Sequence, residues 1–220
     1  MGALTGVRGW KRREFIPEAA LDGKFFHPFG CRLPRAAVRL LYSRRMAGES
    51  TALAEFVLGV HSGTLRLEGL EALQAHSCHM AEQCRRRLLI YSNRLNPHLY
   101  NTGCFIEAVR QLVIRHPSTQ VEILVADTTA LVKGGHRLPR LAQDLPSSIT
   151  IRRRNEEYES DMRSFLLADE AGYLLRNLWH DMNSVRGDYA ARPVVRNLAD
   201  EFQRIWDRSE ADPGLRRLNL

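Results

Sequence analysis

A chain of 220 residues suits one domain of ordinary size with an appendage, and it is long enough to bury a real core. Its 44% apolar and 26% charged composition is that of a globular protein, and no apolar run approaches the roughly 18 to 20 residues of a membrane-crossing helix, so a transmembrane helix is not expected. The net charge of +7 suggests nucleic acid, yet residues 1–45 hold ten basic and three acidic residues, and the remaining 22 basic and 22 acidic residues cancel.

Residues 1–45 carry Gly and Pro at irregular intervals, with helical spacing only over Arg35–Arg45, and read as a basic, disordered extension. Three readings stay open for it. It is a translated upstream region, with Met46 as the true start; a basic arm touching nucleic acid or anionic lipid by charge; or an Arg-rich leader. Only three of the 32 basic residues are Lys, as translation of a GC-rich, bacterial-type genome would produce. Residues 46–67 read as a connector ending in a short strand at Thr64–Leu67.

The main domain is expected over 68–210. A helix is predicted from Glu68 to Arg87, with Leu70, Leu73, Ser77, Met80 and Cys84 on one face and Arg85, Arg86 and Arg87 in the last turn, where the dipole favours cations. Its His76, Cys78, His79 and Cys84 do not converge at one point, so they read as core and surface residues and no metal or cofactor is expected. Cys31, Cys78, Cys84 and Cys104 are unevenly spaced, as in a cytoplasmic protein with reduced thiols. Leu88–Ser92 and Val121–Ala126 are unbroken apolar strands of the kind covered on both faces. Helices are predicted at Phe105–Arg115, ended by Pro117, and at His136–Leu145 after Gly134 and Gly135, with a third strand at Ile149–Arg152. This alternation implies an α/β fold with a mixed, largely parallel sheet flanked by helices on both faces.

A hairpin follows. Phe165–Ala168 and Tyr173–Leu175 flank the turn residues Asp169, Glu170, Ala171 and Gly172. Trp179–Arg192 reads as a loop, and a last helix runs from Pro193 to Ser209 with Val194, Val195, Leu198, Phe202, Ile205 and Trp206 in phase. Residues 211–220 read as a tail. The acidic run Glu156, Glu157, Glu159 and Asp161 beside Arg152, Arg153 and Arg154 reads as a solvated loop of weak ion pairs.

Ligands of open α/β sheets collect at the carboxyl ends of strands, which makes Ser92, Asn93, Arg94, Asp127, Thr128, Arg153 and Arg154, with His136 nearby, candidate binding residues, and Asp169 joins them in the hairpin. The element order and the strand, turn, strand unit ending at Asp169 resemble the phospholipase D superfamily across Glu68–Trp206. That resemblance implies a hairpin motif His-x-Lys-x-x-x-x-Asp, whose histidine attacks phosphorus and whose lysine holds phosphate oxygens. Anchored on Asp169, the motif falls on Met162 and Ser164, and the Gly-Ser-x-Asn that usually follows is absent. A thioether cannot serve as a departing phosphorus nucleophile or as a general acid, and Ser164 brings no cation. Arg163, one step along the strand, points to the other face.

The expected function is therefore a catalytically degenerate, phospholipase D-like accessory or interaction domain, acting with a protein partner or as a homodimer. Two alternatives remain. One is an enzyme of phosphate-ester or acyl-transfer chemistry around Asp127 and His136; the other binds nucleic acid through residues 1–45.

Overall fold

The computed structural model of the protein describes residues 53–116, 118–129, 131, 135–212 and 215. The extension expected at 1–45, the start at Met46, Pro117 and Gly134 lie outside them. In chain order the elements are β1 (Leu65–Leu67), α1 (Leu70–Gln83), β2 (Arg87–Ser92), α2 (Pro97–Tyr100), α3 (Gly103–Arg115), β3 (Gln120–Val125), α4 (Arg137–Asp144) and β4 (Ile149–Arg153). A 3-10 turn at Glu156–Tyr158 leads to β5 (Ser164–Ala168), β6 (Gly172–Arg176), β7 (Val185–Asp188) and α5 (Arg192–Asp207).

The strands form one seven-stranded sheet in the order β1-β7-β6-β5-β2-β3-β4. Helical crossovers make β2, β3 and β4 parallel, as the alternating sequence predicts. The rest of the sheet corrects the expectation of a largely parallel one: β5 pairs antiparallel with β2, β6 with β5, β7 with β6 and β1 with β7. β5, β6 and β7 follow one another through a turn and a loop too short for a crossover and so have to reverse direction, whereas β5 with β2 and β1 with β7 pair across long stretches of chain. The sheet is mixed and mostly antiparallel.

The unbroken apolar strands are covered on both faces. Leu88, Ile90, Val121, Ile123 and Leu166 pack with Met80, Val109, Leu112 and Leu138 from α1, α3 and α4. Leu89, Tyr91, Leu124, Phe165 and Leu167 pack against Val195, Leu198, Phe202, Ile205 and Trp206 of α5. Among the described residues no helix is long and apolar enough to cross a membrane.

Three further expectations are revised. The stretch 179–192 is not all loop, because β7 lies within it; Gly187 and the charged Arg186 and Asp188 hide the strand pattern. The short strand expected at Thr64–Leu67, by contrast, forms as β1, an edge strand of the sheet. The tail is anchored where it starts, since Glu210 bridges Arg153 and buried Leu215 accepts from Gln143 Nε2 through its carbonyl, 2.6 Å away. Cys78 and Cys104 are joined in a disulfide linking α1 to α3, with Cα atoms 6.0 Å apart, against the expectation of reduced thiols. Cysteine spacing along the chain says nothing about which helices pack side by side. Of the described cysteines, Cys84 is free and buried.

His76 is a core residue, as expected. Its Nδ1 lies 3.0 Å from the hydroxyl of fully buried Tyr189, and Phe56 sits edge-on to its ring. Burial, with a smaller contribution from the charge of His79, lowers its pKa from 6.5 to about 4.

Two measurements follow from this packing. A Cβ on Gly187 would stand 2.7 Å from a Leu174 methyl carbon and 3.1 Å from the Tyr173 carbonyl oxygen. Gly187→Ala is expected to lower stability by about 1–3 kcal/mol in urea denaturation, with the midpoint falling. The unfolded chain binds a proton at His76 near pH 6.5 that the folded chain refuses until about pH 4, so stability falls as pH drops through that window. A pH series of thermal melts is expected to show this decline, with a shallower slope in His76→Gln.

Candidate functional site at the sheet end

Register brings three side chains into one row at the carboxyl end of β2. Tyr91 pairs with Phe165 and Ser164 pairs with Arg176, so Ser92, Ser164 and Arg176 are neighbours across three strands. All three belong to the α1–α3 side of the sheet, because Ile90, Leu166 and Leu174, two residues away on each strand, pack there. Ser164 is buried, and its Oγ donates to the Tyr91 carbonyl at 3.1 Å. Arg176 is 3% exposed; its Nη2 donates to Ser164 Oγ at 2.9 Å and its Nη1 to the Trp179 carbonyl at 2.6 Å, with Met182 Sδ 3.2 Å away. Among the described residues no carboxylate pairs with this guanidinium. Buried Tyr100 completes the group; burial pushes its phenol pKa up, and the charge of Arg176 opposes that rise.

Met162 lies just outside β5. It is 39% exposed, and its carbonyl accepts from the Trp179 N–H at 2.7 Å. Leu178, 45% exposed, is the next residue along that loop. The rim is thus apolar where the resemblance implies a nucleophile. Arg94 lies over the Trp179 ring, 5.8 Å from its centroid, and pairs with Asp127 at 3.2 Å.

The remaining candidates have local duties. Ser92 Oγ donates to the Arg94 carbonyl at 3.0 Å, the Asn93 carbonyl accepts from the Asp127 N–H at 3.0 Å, and Asp127 Oδ1 accepts from the Thr129 N–H at 3.0 Å. Ser92, Asn93, Arg94 and Asp127 are therefore brought together at the ends of β2 and β3. His136 caps α4, its Nδ1 accepting from the Leu138 N–H at 3.3 Å. With Nδ1 accepting, the proton of the neutral ring sits on Nε2, and that buried atom has no partner among the described residues. Burial first, and Arg137 second, lower its pKa to about 4, so the ring is neutral at pH 7. In this tautomer Nε2 has no lone pair to take a proton.

Asp169 lies at the opposite end of the sheet. Ala168 pairs with Leu88 at the start of β2, and five strand steps of about 3.3 Å put Asp169 roughly 17 Å from Ser164. It does not join the other candidates. Held at φ 52°, it accepts through Oδ1 from the N–H groups of Arg85, Arg86 and Arg87 at 3.2, 2.7 and 3.1 Å, and from Cys84 Sγ at 3.3 Å. These bonds explain why α1 stops at Gln83 and Arg85–Arg87 do not form its last turn. A side-chain anion satisfies amides that would otherwise have continued the helix.

The sequence reading missed a network on the α5 side. The Tyr91 hydroxyl donates to Asp161 Oδ2 at 2.9 Å and accepts from Arg154 Nη1 at 2.7 Å, and the Arg154 guanidinium lies 4.9 Å from the Tyr91 ring centroid. Arg163 pairs with Asp161 at 2.7 Å and with Glu201 of α5 at 2.5 Å. Burial alone would raise the Asp161 carboxyl, but hydrogen bonds from Arg163 and Tyr91 outweigh it and hold the pKa below the usual value. Asp161 is thus a half-buried tie from the hairpin to α5, not part of a solvated acidic loop. Glu156 and Glu157 do make the exposed pairs expected of that loop, with Arg153 at 3.5 Å and Arg208 at 2.9 Å.

Removing the Asp169 carboxylate leaves three amides without their acceptor. Asp169→Ala is expected to cost on the order of 3 kcal/mol in urea denaturation, and Asp169→Asn less, because Asn keeps one oxygen and tolerates positive φ.

Solved structures with this fold include TrmBL2, described as an archaeal chromatin protein with a novel mode of DNA binding, at a TM-score of 0.51 and 14% identity over 80% of this chain and 66% of that one. This chain thus spans just under two thirds of that protein. NucT from Helicobacter pylori matches at a TM-score of 0.50 and 8% identity, over 69% of this chain and 98% of that one. Nuc from Salmonella typhimurium, a phospholipase D family member, matches at 0.50 and 9% identity over the same shares. Identities this low speak for the fold alone. No curated protein matches the chain by sequence. A family model described as a domain of unknown function (DUF7931) matches residues 69–218, and on that match the chain belongs to the DUF7931 family.

Proposed function

We propose that the chain is a catalytically inactive, phospholipase D-like domain that works as an accessory module and docks a protein partner or a second copy at the carboxyl end of its sheet. The observation that carries this reading is the state of Ser164 and Met162. Ser164 stands where the superfamily resemblance implies a phosphate-holding lysine, and it is buried between the Tyr91 carbonyl and the Arg176 guanidinium. Met162 stands at the position of the nucleophile and presents a thioether. Nearby Arg176 is turned inward to the Trp179 carbonyl, and at the rim Met162 and Leu178 are exposed apolar side chains. Such a surface favours contact with another protein over in-line attack on phosphorus.

The rival enzyme reading needs His136 to move a proton. Its neutral ring with the proton on a buried Nε2, and its role as a helix cap, weigh against that role. DNA binding by TrmBL2 bears on this chain only through the basic extension, since the other charges cancel.

The test uses the purified full-length chain with bis(p-nitrophenyl) phosphate and with single-stranded DNA. Hydrolysis at the buffer rate is expected with both. Tagged in its native host, the same chain is expected to retain a stoichiometric protein partner or a second copy, and Leu178→Asp to release it. Steady turnover abolished by His136→Ala would overturn the proposal in favour of the enzyme. Salt-sensitive DNA binding lost on deleting residues 1–45, with no retained protein, would favour the basic arm instead.

A further inference from the structure

The groove between α1 and α3 holds a cluster that the proposed function does not use. Cys78 and Glu82 stand one helical turn apart on α1, and Cys104 lies in the first turn of α3. The Glu82 carboxylate is packed against both sulfurs, 3.7 Å from Cys78 Sγ and 3.8 Å from Cys104 Sγ. One ligand atom from each residue falls within 4.8 Å of the others. The spot opens onto a surface cavity of about 440 Å³ lined by Glu82, Cys104, Glu107 and His116, among others. Cys78 is buried, while Cys104 and Glu82 are exposed, so solvent reaches the disulfide through Cys104.

We propose that Cys78, Cys104 and Glu82, once the disulfide is reduced, form a binding site for a thiophilic divalent cation of the zinc class. Two thiolates and one carboxylate supply three ligands of the types zinc takes, with water left for the fourth position, and their softness disfavours magnesium and calcium. Two different helices contribute, so the ion would cross-link α1 to α3 as the disulfide does. The site was not legible from spacing, because its ligands are separated by four and by 22 residues and share no motif. It also runs against the expectation that no metal binds. This inference does not depend on whether the sheet end is catalytic.

The two states interconvert by balanced chemistry. A small dithiol attacks the disulfide; the S–S bond breaks, Cys78 and Cys104 each gain a proton, and the dithiol leaves as its own cyclic disulfide. The cation then replaces the two thiol protons, which pass to solvent as two metal–sulfur bonds form. Cys84 does not compete, because its buried thiol is directed to Asp169 and burial, with the Asp169 charge, pushes its pKa up to about 12.

The full-length chain, reduced with a phosphine and then freed of it under anaerobic conditions, is titrated with cobalt(II) alone. One cobalt per chain is expected, with a thiolate-to-cobalt charge-transfer band that equimolar zinc abolishes. Disulfide-bonded chain should give no band. Glu82→Gln keeps both thiols at an exposed position and is expected to weaken cobalt binding by about tenfold or more. Cys104→Ser should lose the 1:1 complex, and Cys31→Ser should leave it unchanged. No band in the reduced chain, an equal band in Cys104→Ser or in the oxidised chain, or unaltered affinity in Glu82→Gln would overturn the site.

Discussion

One carboxylate sets much of the architecture. Asp169, at the tip of the β5–β6 hairpin, gathers the amides of Arg85, Arg86 and Arg87. Its own N–H donates to the Arg87 carbonyl at 2.8 Å. This exchange ends α1, starts β2 and pins β5 beside β2, the antiparallel contact that joins the crossover half of the sheet to the hairpin half. Charge-assisted bonds to ordered amides are worth roughly 1.5–3 kcal/mol each. Exposed pairs such as Arg153 with Glu156 contribute about 0–1 kcal/mol. Several such bonds converging on one half-buried carboxylate outweigh a single surface pair.

The same arrangement separates Asp169 from Ser164 and Met162. Asp169 serves the fold from one end of β5; Ser164 and Met162 stand at the other end, where the fold does not demand histidine or lysine. Ser164 instead closes a hydrogen-bonded group with Tyr91 and Arg176. Arg176 places a cation in the row and spends its bonds on Ser164 and the Trp179 carbonyl. On the far face Tyr91 passes the connection through Asp161 and Arg163 to α5. The sheet end is braced on both sides by side chains that bond mainly to one another.

The Cys78–Cys104 bond fastens α1 to α3, two helices that cover the face carrying Ser92 and Ser164. Any exchange of that bond for a bridging ion would keep the two helices tied. Support for the sheet end would therefore persist in both states.

By itself the sequence determined what is local. Continuous apolar runs marked β2 and β3, helical periodicity marked α3, α4 and α5, and Asp169 to Gly172 marked the hairpin turn; each signal is carried by neighbouring residues and needs no partner. It also shows that Met162 and Ser164 are neither histidine nor lysine, which is a matter of composition at two positions. Only the tertiary structure decided the sheet's direction, because strand order depends on pairings such as β5 with β2 and β1 with β7 that cross most of the chain. It likewise hid β7, whose Gly187 is required by contact with Leu174 and Tyr173, residues remote in the local pattern. The inward turn of Arg176, the Tyr91 network, the Cys78–Cys104 bond and the separation of Asp169 from the other candidates arise from register and helix packing, which residue spacing does not encode.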